Sequence, residues 1–262
     1  MRKILPVVVL SCLCAAALAT AGDVEDRVVR GAVVLKEIAD APDGGIPQEL
    51  LDRCACVAVI PGMKKGGFIF GANYGKGLMS CRTEGGAGAW SNPSMFRLEG
   101  GSFGFQIGAQ SVDLILMVMN LRGIESLLDS KFTLGGDASV AAGPVGRTAA
   151  AETDLWMSAE ILAYSRARGL FGGLVVKGGT VRQDKDANMW LYQRPVDART
   201  LLLQGAADGD GDDGDGAGAE ASPVPEPSPD AAKDVGIFLE QLNKISPPKP
   251  KAAPEPPPAA LP

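Results

Sequence analysis

Val57-Ala58-Val59-Ile60, Pro61-Gly62-Met63-Lys64-Lys65-Gly66-Gly67 and Phe68-Ile69-Phe70-Gly71-Ala72-Asn73-Tyr74 follow one another without a break, two apolar runs around a glycine-rich segment. Their reading decides the fold. Between Gly62 and Gly108 there are 13 glycines in 47 residues, and each would cost about 1 kcal/mol in a helix interior. Helix is excluded here, and short strands joined by glycine turns are predicted. The runs are Val57 to Ile60, Phe68 to Tyr74, Leu78 to Arg82, Met95 to Leu98, Phe103 to Ile107 and Val112 to Met119. Such spacing predicts an antiparallel meander or barrel. Leu114 to Met119 is apolar on both sides and reads as a central strand.

Outward from this region the periodicity changes. Val24, Val28, Ala32, Leu35 and Ala39 recur at helical spacing, so Asp23 to Ala41 reads as a helix with Asp23, Glu25 and Asp26 in its first turn. Ile46 to Leu51 suggests a second short helix. Downstream, Leu121 to Ser130 reads as a helix, Leu155 to Arg166, Leu170 to Val176 and Val181 as strands, and Val196 to Gln204 as a closing helix. Met189 to Gln193 is too short to assign. The expected fold class is α+β: a curved or barrel-like antiparallel sheet with flanking helices, then a disordered tail.

The ends differ from this core. Arg2 and Lys3, an apolar stretch from Ile4 to Leu18, and Ala19-Thr20-Ala21 before Gly22 have the layout of a signal peptide over residues 1–21. Lipoprotein processing at Cys12 is a minor alternative. No later segment has the roughly 18 uncharged apolar residues of a membrane helix. The expected location is therefore outside the cytosol, periplasmic or peripheral to the cell envelope. Residues 22–205 form the expected domain, with 19 basic and 20 acidic residues from Asp23 to Gln204. Residues 206–262 are Asp-Gly and Pro-Glu-Ala sequence, read as a disordered tail. Within it, Val235 to Ile245 is amphipathic, a short helix that docks on the domain or on a partner. Neither part has the basic excess of a nucleic-acid binder.

The inventory for chemistry is thin. The chain has no histidine, so Gly100-Gly101-Ser102-Phe103-Gly104 lacks the usual base that would make G-x-S-x-G a hydrolase elbow. No phosphate-loop pattern occurs. Asp208, Asp210 and Asp212 imitate a calcium loop, but Asp213 and Ala219 stand where glycine and the closing carboxylate belong. Glu152 with Asp154, and Asp184 with Asp186, are alternate carboxylates read as solvated surface. Cys54 or Cys56 can pair with Cys81 in an oxidising compartment, or all three can be small buried residues. No cofactor or metal is expected. Lys64-Lys65 stands apart as two cations in a turn beside Met63 and Phe68, suited to an anionic headgroup. Arg147, after Gly143-Pro144-Val145-Gly146, is a second candidate.

Several blocks together resemble the SYLF domain. They are Ile60-Pro61 with Lys64 to Gly71, Tyr74-Gly75-Lys76-Gly77, Trp90-Ser91-Asn92-Pro93, Gly104 to Gln110, Asp137 to Arg147, and Tyr164-Ser165 with Gly169 to Gly173. They keep the family's order over roughly Asp23 to Gly205. The resemblance implies a lipid-binding module without catalysis: eukaryotic relatives bind phosphoinositides and remodel membranes, some with actin binding, and bacterial relatives are mostly exported. It also brings Lys76 into the candidate headgroup set of Lys64, Lys65, Lys76 and Arg147. One departure is the acidic start Asp23-Val24-Glu25-Asp26, where membrane-binding relatives carry a basic amphipathic helix. The expected function is non-catalytic binding of anionic phospholipid or another amphiphile at a bacterial cell envelope. The alternative is a structural or scaffold protein holding a protein partner, with the tail as spacer or docking segment.

Overall fold

Four long strands stand where the sequence suggested six short ones. In the computed structural model these are β1 (Cys56–Gly67), β2 (Phe70–Cys81), β3 (Ser94–Phe103) and β4 (Gly108–Val118). The structure describes residues 5–41, 45–67, 70–83, 86, 88–103, 108–120, 123–124, 128, 132–145, 159–167, 170–174, 178–203 and 224–248. Helices α1 (Leu5–Ala39) and α2 (Gln48–Arg53) precede the sheet. It is completed by β5 (Phe132–Thr133), β6 (Val140–Ala142), β7 (Ile161–Ala167), β8 (Leu170–Gly173) and β9 (Gly179–Gln183). Then come α3 (Lys185–Tyr192), α4 (Ala198–Leu202) and α5 (Pro229–Ile245).

Several of the glycines expected at turns lie inside strands instead, Gly75 and Gly77 within β2 among them. A Cβ at Gly75 would stand 2.4 Å from Ile60 Cγ2, and one at Gly77 would stand 2.3 Å from the Val59 carbonyl oxygen. These glycines let β2 lie close under β1. Gly62, with φ of 61°, shifts the β1 register by a bulge between Ile60 and Met63. Its N–H donates to Asp113 Oδ1 at 2.8 Å, which ties the bulge to β4.

The strands form a strongly curved half-barrel in the order β5-β9-β3-β2-β1-β4-β7-β6, with β8 on the same edge of β7 as β6. Among the strand pairs of the described residues, β6–β7 alone is parallel, and the others are antiparallel. Cys56 and Cys81 are directly opposed on β1 and β2 and form a disulfide. Cys54 stays a buried thiol that donates to the Leu51 carbonyl. On one face of the sheet lies α1, whose Gly31 leaves room for Leu78 of β2 and Phe238 of α5. On the other, α4 sets Ala198 and Leu202 against Met79, Phe96 and Val181 around an apolar cavity of about 30 Å³.

The amphipathic stretch in the tail is longer than the sequence suggested, and it docks on the domain. Pro229 in the first turn and Asp230 beside it start α5 six residues early. Ala231, Val235, Phe238, Leu242 and Ile245 are buried against the domain. Its end is held by hydrogen bonds: Trp90 Nε1 donates to the Ser246 carbonyl at 3.0 Å, and Gln48 Nε2 to the Ile245 carbonyl at 2.9 Å. Arg82, stacked on Trp90 with 4.3 Å to the ring centroid, donates to the Ser246 and Pro247 carbonyls. Burial lowers the pKa of this guanidinium, and the nearby Cys54 and Asp52 oppose the shift.

Met189 to Tyr192 belongs to α3, which Asp184 caps. Asp184 is therefore no half of an extended-chain carboxylate pair, and Asp186 sits apart in the first helical turn. The expected helix from Leu121 to Ser130 is described only in fragments. Gly104, Arg147, Glu152, Asp154, the Asp208–Asp213 run and Ala219 lie outside the described residues.

Candidate functional site

Lys64 and Lys65 lie within β1, not in a turn. The expected hairpin tip is instead strand that continues to Gly67, because Gly62 makes a bulge and Gly66-Gly67 remain paired with β2 and β4. Alternation along a strand sends the two side chains to opposite faces. Lys64 is opposed to Tyr74 and Ser111, and Lys65 to Asn73 and Gln110. The sheet therefore separates two cations that are adjacent in the sequence.

Lys64 opens into a cleft of about 420 Å³ between the sheet and α1. Pro61, Gly62, Tyr74, Gly75 and Lys76 line it from the strands, and Asp23, Asp26, Arg27 and Arg30 from the helix. Tyr74 shares the face of Lys64 and is 44% exposed. A partly exposed tyrosine, apolar in its ring and polar at its hydroxyl, suits a boundary between apolar and wet surroundings.

Most charges in the cleft are already paired. Arg27, buried, bonds Asp23 at 2.9 Å and Asp184 at 3.1 Å. Lys76 reaches Asp23 at 2.9 Å, and Arg30 reaches Asp26 at 2.8 Å. Burial works to raise the Asp23 carboxyl pKa, but the hydrogen bonds from Lys76 and Arg27 outweigh it and hold the group below its ordinary value. Farther along α1, Glu37 pairs with Arg166, which also stands 3.7 Å from Asp113. Much of the acidity of α1 is thus neutralised from within. The repulsion expected of Asp23 and Asp26 toward an anion is correspondingly reduced. Lys64 makes no ion pair among the described residues and is exposed.

Of the four sequence candidates, the structure brings Lys64 and Lys76 together in the cleft and sends Lys65 to the other face. Arg147 is outside the described residues. Ser102 lies within β3 rather than at a strand-to-helix turn. Tyr74, Arg27 and Arg30 were not foreseen as site residues. The alternation Tyr74-Gly75-Lys76 was the available signal for the first, since it puts Tyr74 and Lys76 on one face.

Residues 99–221 match the family model described as "Ysc84: Las17-binding protein actin regulator". LAS seventeen-binding protein 3 of Saccharomyces cerevisiae is 32% identical over 163 residues, covering 61% of this chain and 35% of the yeast protein. SH3 domain-containing YSC84-like protein 1 of Rattus norvegicus is 30% identical over 186 residues, 69% of this chain and 54% of the rat protein. The Homo sapiens protein of the same name is 29% identical over the same shares. This domain belongs to the Ysc84, or SYLF, family. The chain spans between about a third and a half of the curated relatives it matches. The Ysc84 match begins at Glu99 in β3 and ends before α5. The cleft's strand residues and the docked helix both lie outside it.

Proposed function

We propose that the chain binds anionic phospholipid, or a similar anionic amphiphile, through the cleft between α1, β1 and β2, and performs no catalysis. Lys64 carries the reading: an exposed cation without an ion-pair partner among the described residues, in a cleft beside the exposed ring of Tyr74. A lysine near an anionic surface contributes about 1 kcal/mol, and the tyrosine adds a contact at headgroup depth. Among the described residues no helix is long and apolar enough to cross a membrane, so the proposed contact is peripheral.

The proposed setting is the bacterial cell envelope, reached by export. The leader-like start supports it, and so does the Cys56–Cys81 disulfide, a bond that persists in oxidising compartments. An exported chain does not meet actin, so the actin regulation in the family description is not carried over. The scaffold alternative loses ground because α5, its best docking element, is already used against its own domain. Co-sedimentation of the chain with phosphatidylglycerol vesicles tests the reading. Pelleting at low salt that fades toward physiological salt is expected, and an absence of pelleting at low salt refutes it.

A further inference from the structure

Both proline-rich stretches that flank α5 are held by one short loop, Trp90-Ser91-Asn92. Trp90 is bridged to Arg82, the residue that follows β2. Ahead of α5, Asn92 Nδ2 donates to the Pro225 carbonyl at 2.9 Å, within Pro223-Val224-Pro225-Glu226-Pro227-Ser228-Pro229. Beyond α5, Trp90 Nε1 and Arg82 donate to the Ser246 carbonyl at 3.0 and 2.9 Å. Arg82 also donates to the Pro247 carbonyl at 3.2 Å, at the start of Ser246-Pro247-Pro248-Lys249-Pro250.

These donors address main chain. Gln48, Trp90 and Arg82 between them satisfy three consecutive carbonyls, those of Ile245, Ser246 and Pro247. Ser246 is also read through its hydroxyl, which donates to the Leu51 carbonyl at 2.9 Å and accepts from Arg82. Proline has no N–H, and an extended proline-rich chain makes no internal hydrogen bonds, so its carbonyls stay open to outside donors. Ser228, with φ of −56° and ψ of 151°, has the backbone of such a chain. Aromatic-lined grooves are a recurring receptor for it. Trp90, with Arg82 stacked on its ring, supplies the aromatic surface here.

We infer that Gln48, Arg82, Trp90 and Asn92 form a binding site for an extended proline-rich segment of a partner protein, one carrying Ser-Pro-Pro, and that the chain's own tail occupies this site in cis. Two separate stretches of the tail meet one loop through their carbonyls, which marks recognition of a backbone class rather than of a single sequence. The site is self-blocked: a tethered segment acts as a competitor in the millimolar range, which the partner must displace. It lies apart from the headgroup cleft, since Arg82 is six residues beyond Lys76, about 20 Å along an extended chain, and it does not depend on that reading.

Fluorescence anisotropy of a labelled peptide of residues 243–250, titrated with the full chain, tests the site. Ser246→Gly, Pro247→Gly and Pro248→Gly together remove the cis occupant and leave the apolar face of α5 in place. The peptide should bind this variant at least about tenfold tighter than wild type, because the tethered competitor is gone. Adding Gln48→Ala or Trp90→Phe should each weaken binding about fivefold, the worth of one hydrogen bond. A peptide with alanine at its prolines should bind more weakly, having lost its preorganised backbone. Thermal melts check folding: Ser246→Gly alone serves if the triple variant does not fold, and Gln48→Ala, at an exposed residue, serves if Trp90→Phe does not. Absence of saturable binding to the glycine variant overturns the site, as does binding that survives both Gln48→Ala and Trp90→Phe. Sedimentation of wild type mixed with the glycine variant checks the occupant. A mixed dimer would overturn the separate partner and give the site to the tail of a second copy.

Discussion

The β1–β2 ribbon is built from opposite materials at its two ends. From Cys56 to Ile60, and from Leu78 to Cys81, every residue is buried, and a disulfide joins the strands. From Lys64 to Gly66, paired with Ala72 to Tyr74, the same strands are rich in glycine and lysine, and Lys64, Tyr74, Gly75 and Lys76 line a solvated cleft. The Gly62 bulge, pinned by Asp113, is the joint between them. The comparison teaches that one pair of strands serves stability at one end and recognition at the other. Substitutions at the two ends should therefore separate folding from binding.

The largest effect should come from the buried end. Phe238 of α5 is fully buried next to Gly31 and Leu78. Phe238→Ala should lower unfolding free energy by about 3–5 kcal/mol in a denaturant titration, with vesicle binding of the folded fraction unchanged. Lost vesicle binding in a still folded variant would mean that the two ends are coupled. Next comes the disulfide. Replacing Cys56 and Cys81 by serine reopens a loop with a sequence separation of 25 residues, which should cost about 3 kcal/mol. The reduced and oxidised proteins can be compared by the same titration. A difference near zero would show that the apolar packing at this end is sufficient alone.

The cleft end should yield little in stability. Asp23 has a depressed pKa in the folded chain, so its contribution is fully present above the unfolded carboxyl value of about 3.9. That contribution is lost as pH falls through the lower folded value. Asp23 is half exposed, so Asp23→Asn should cost less than about 1 kcal/mol at neutral pH and nothing in strong acid. The same change releases Lys76 and should strengthen vesicle binding. Unfolding midpoints measured against pH, beside vesicle pelleting, check both halves. A variant that loses stability and binding together would place Asp23 in the frame of the cleft rather than in its charge balance.

Much of the fold was legible because it rests on periodicity. The α1 heptad-like spacing, the central apolar run of β4 and the exclusion of helix by glycine all follow from local pattern. Strand length was not legible, because Gly75 and Gly77 look like turn residues until Ile60 and Val59 are known to press on them. For the site, residue types were readable and faces were not. Lys64-Lys65 read as one patch, and only the register with Tyr74 and Asn73 divides it. The acidic start of α1 read as repulsion, since Arg27–Asp184 and Lys76–Asp23 join residues far apart in sequence.

The most direct test of the account sets the two adjacent lysines against each other. Lys64→Glu and Lys65→Glu change the chain's charge equally, so any difference between them reports the face. Pelleting with phosphatidylglycerol vesicles at low salt should fall at least about fivefold for Lys64→Glu, two charge steps near the surface, and stay close to wild type for Lys65→Glu. Equal losses in both variants, or a larger loss for Lys65→Glu, would contradict a headgroup site in the α1–β1–β2 cleft.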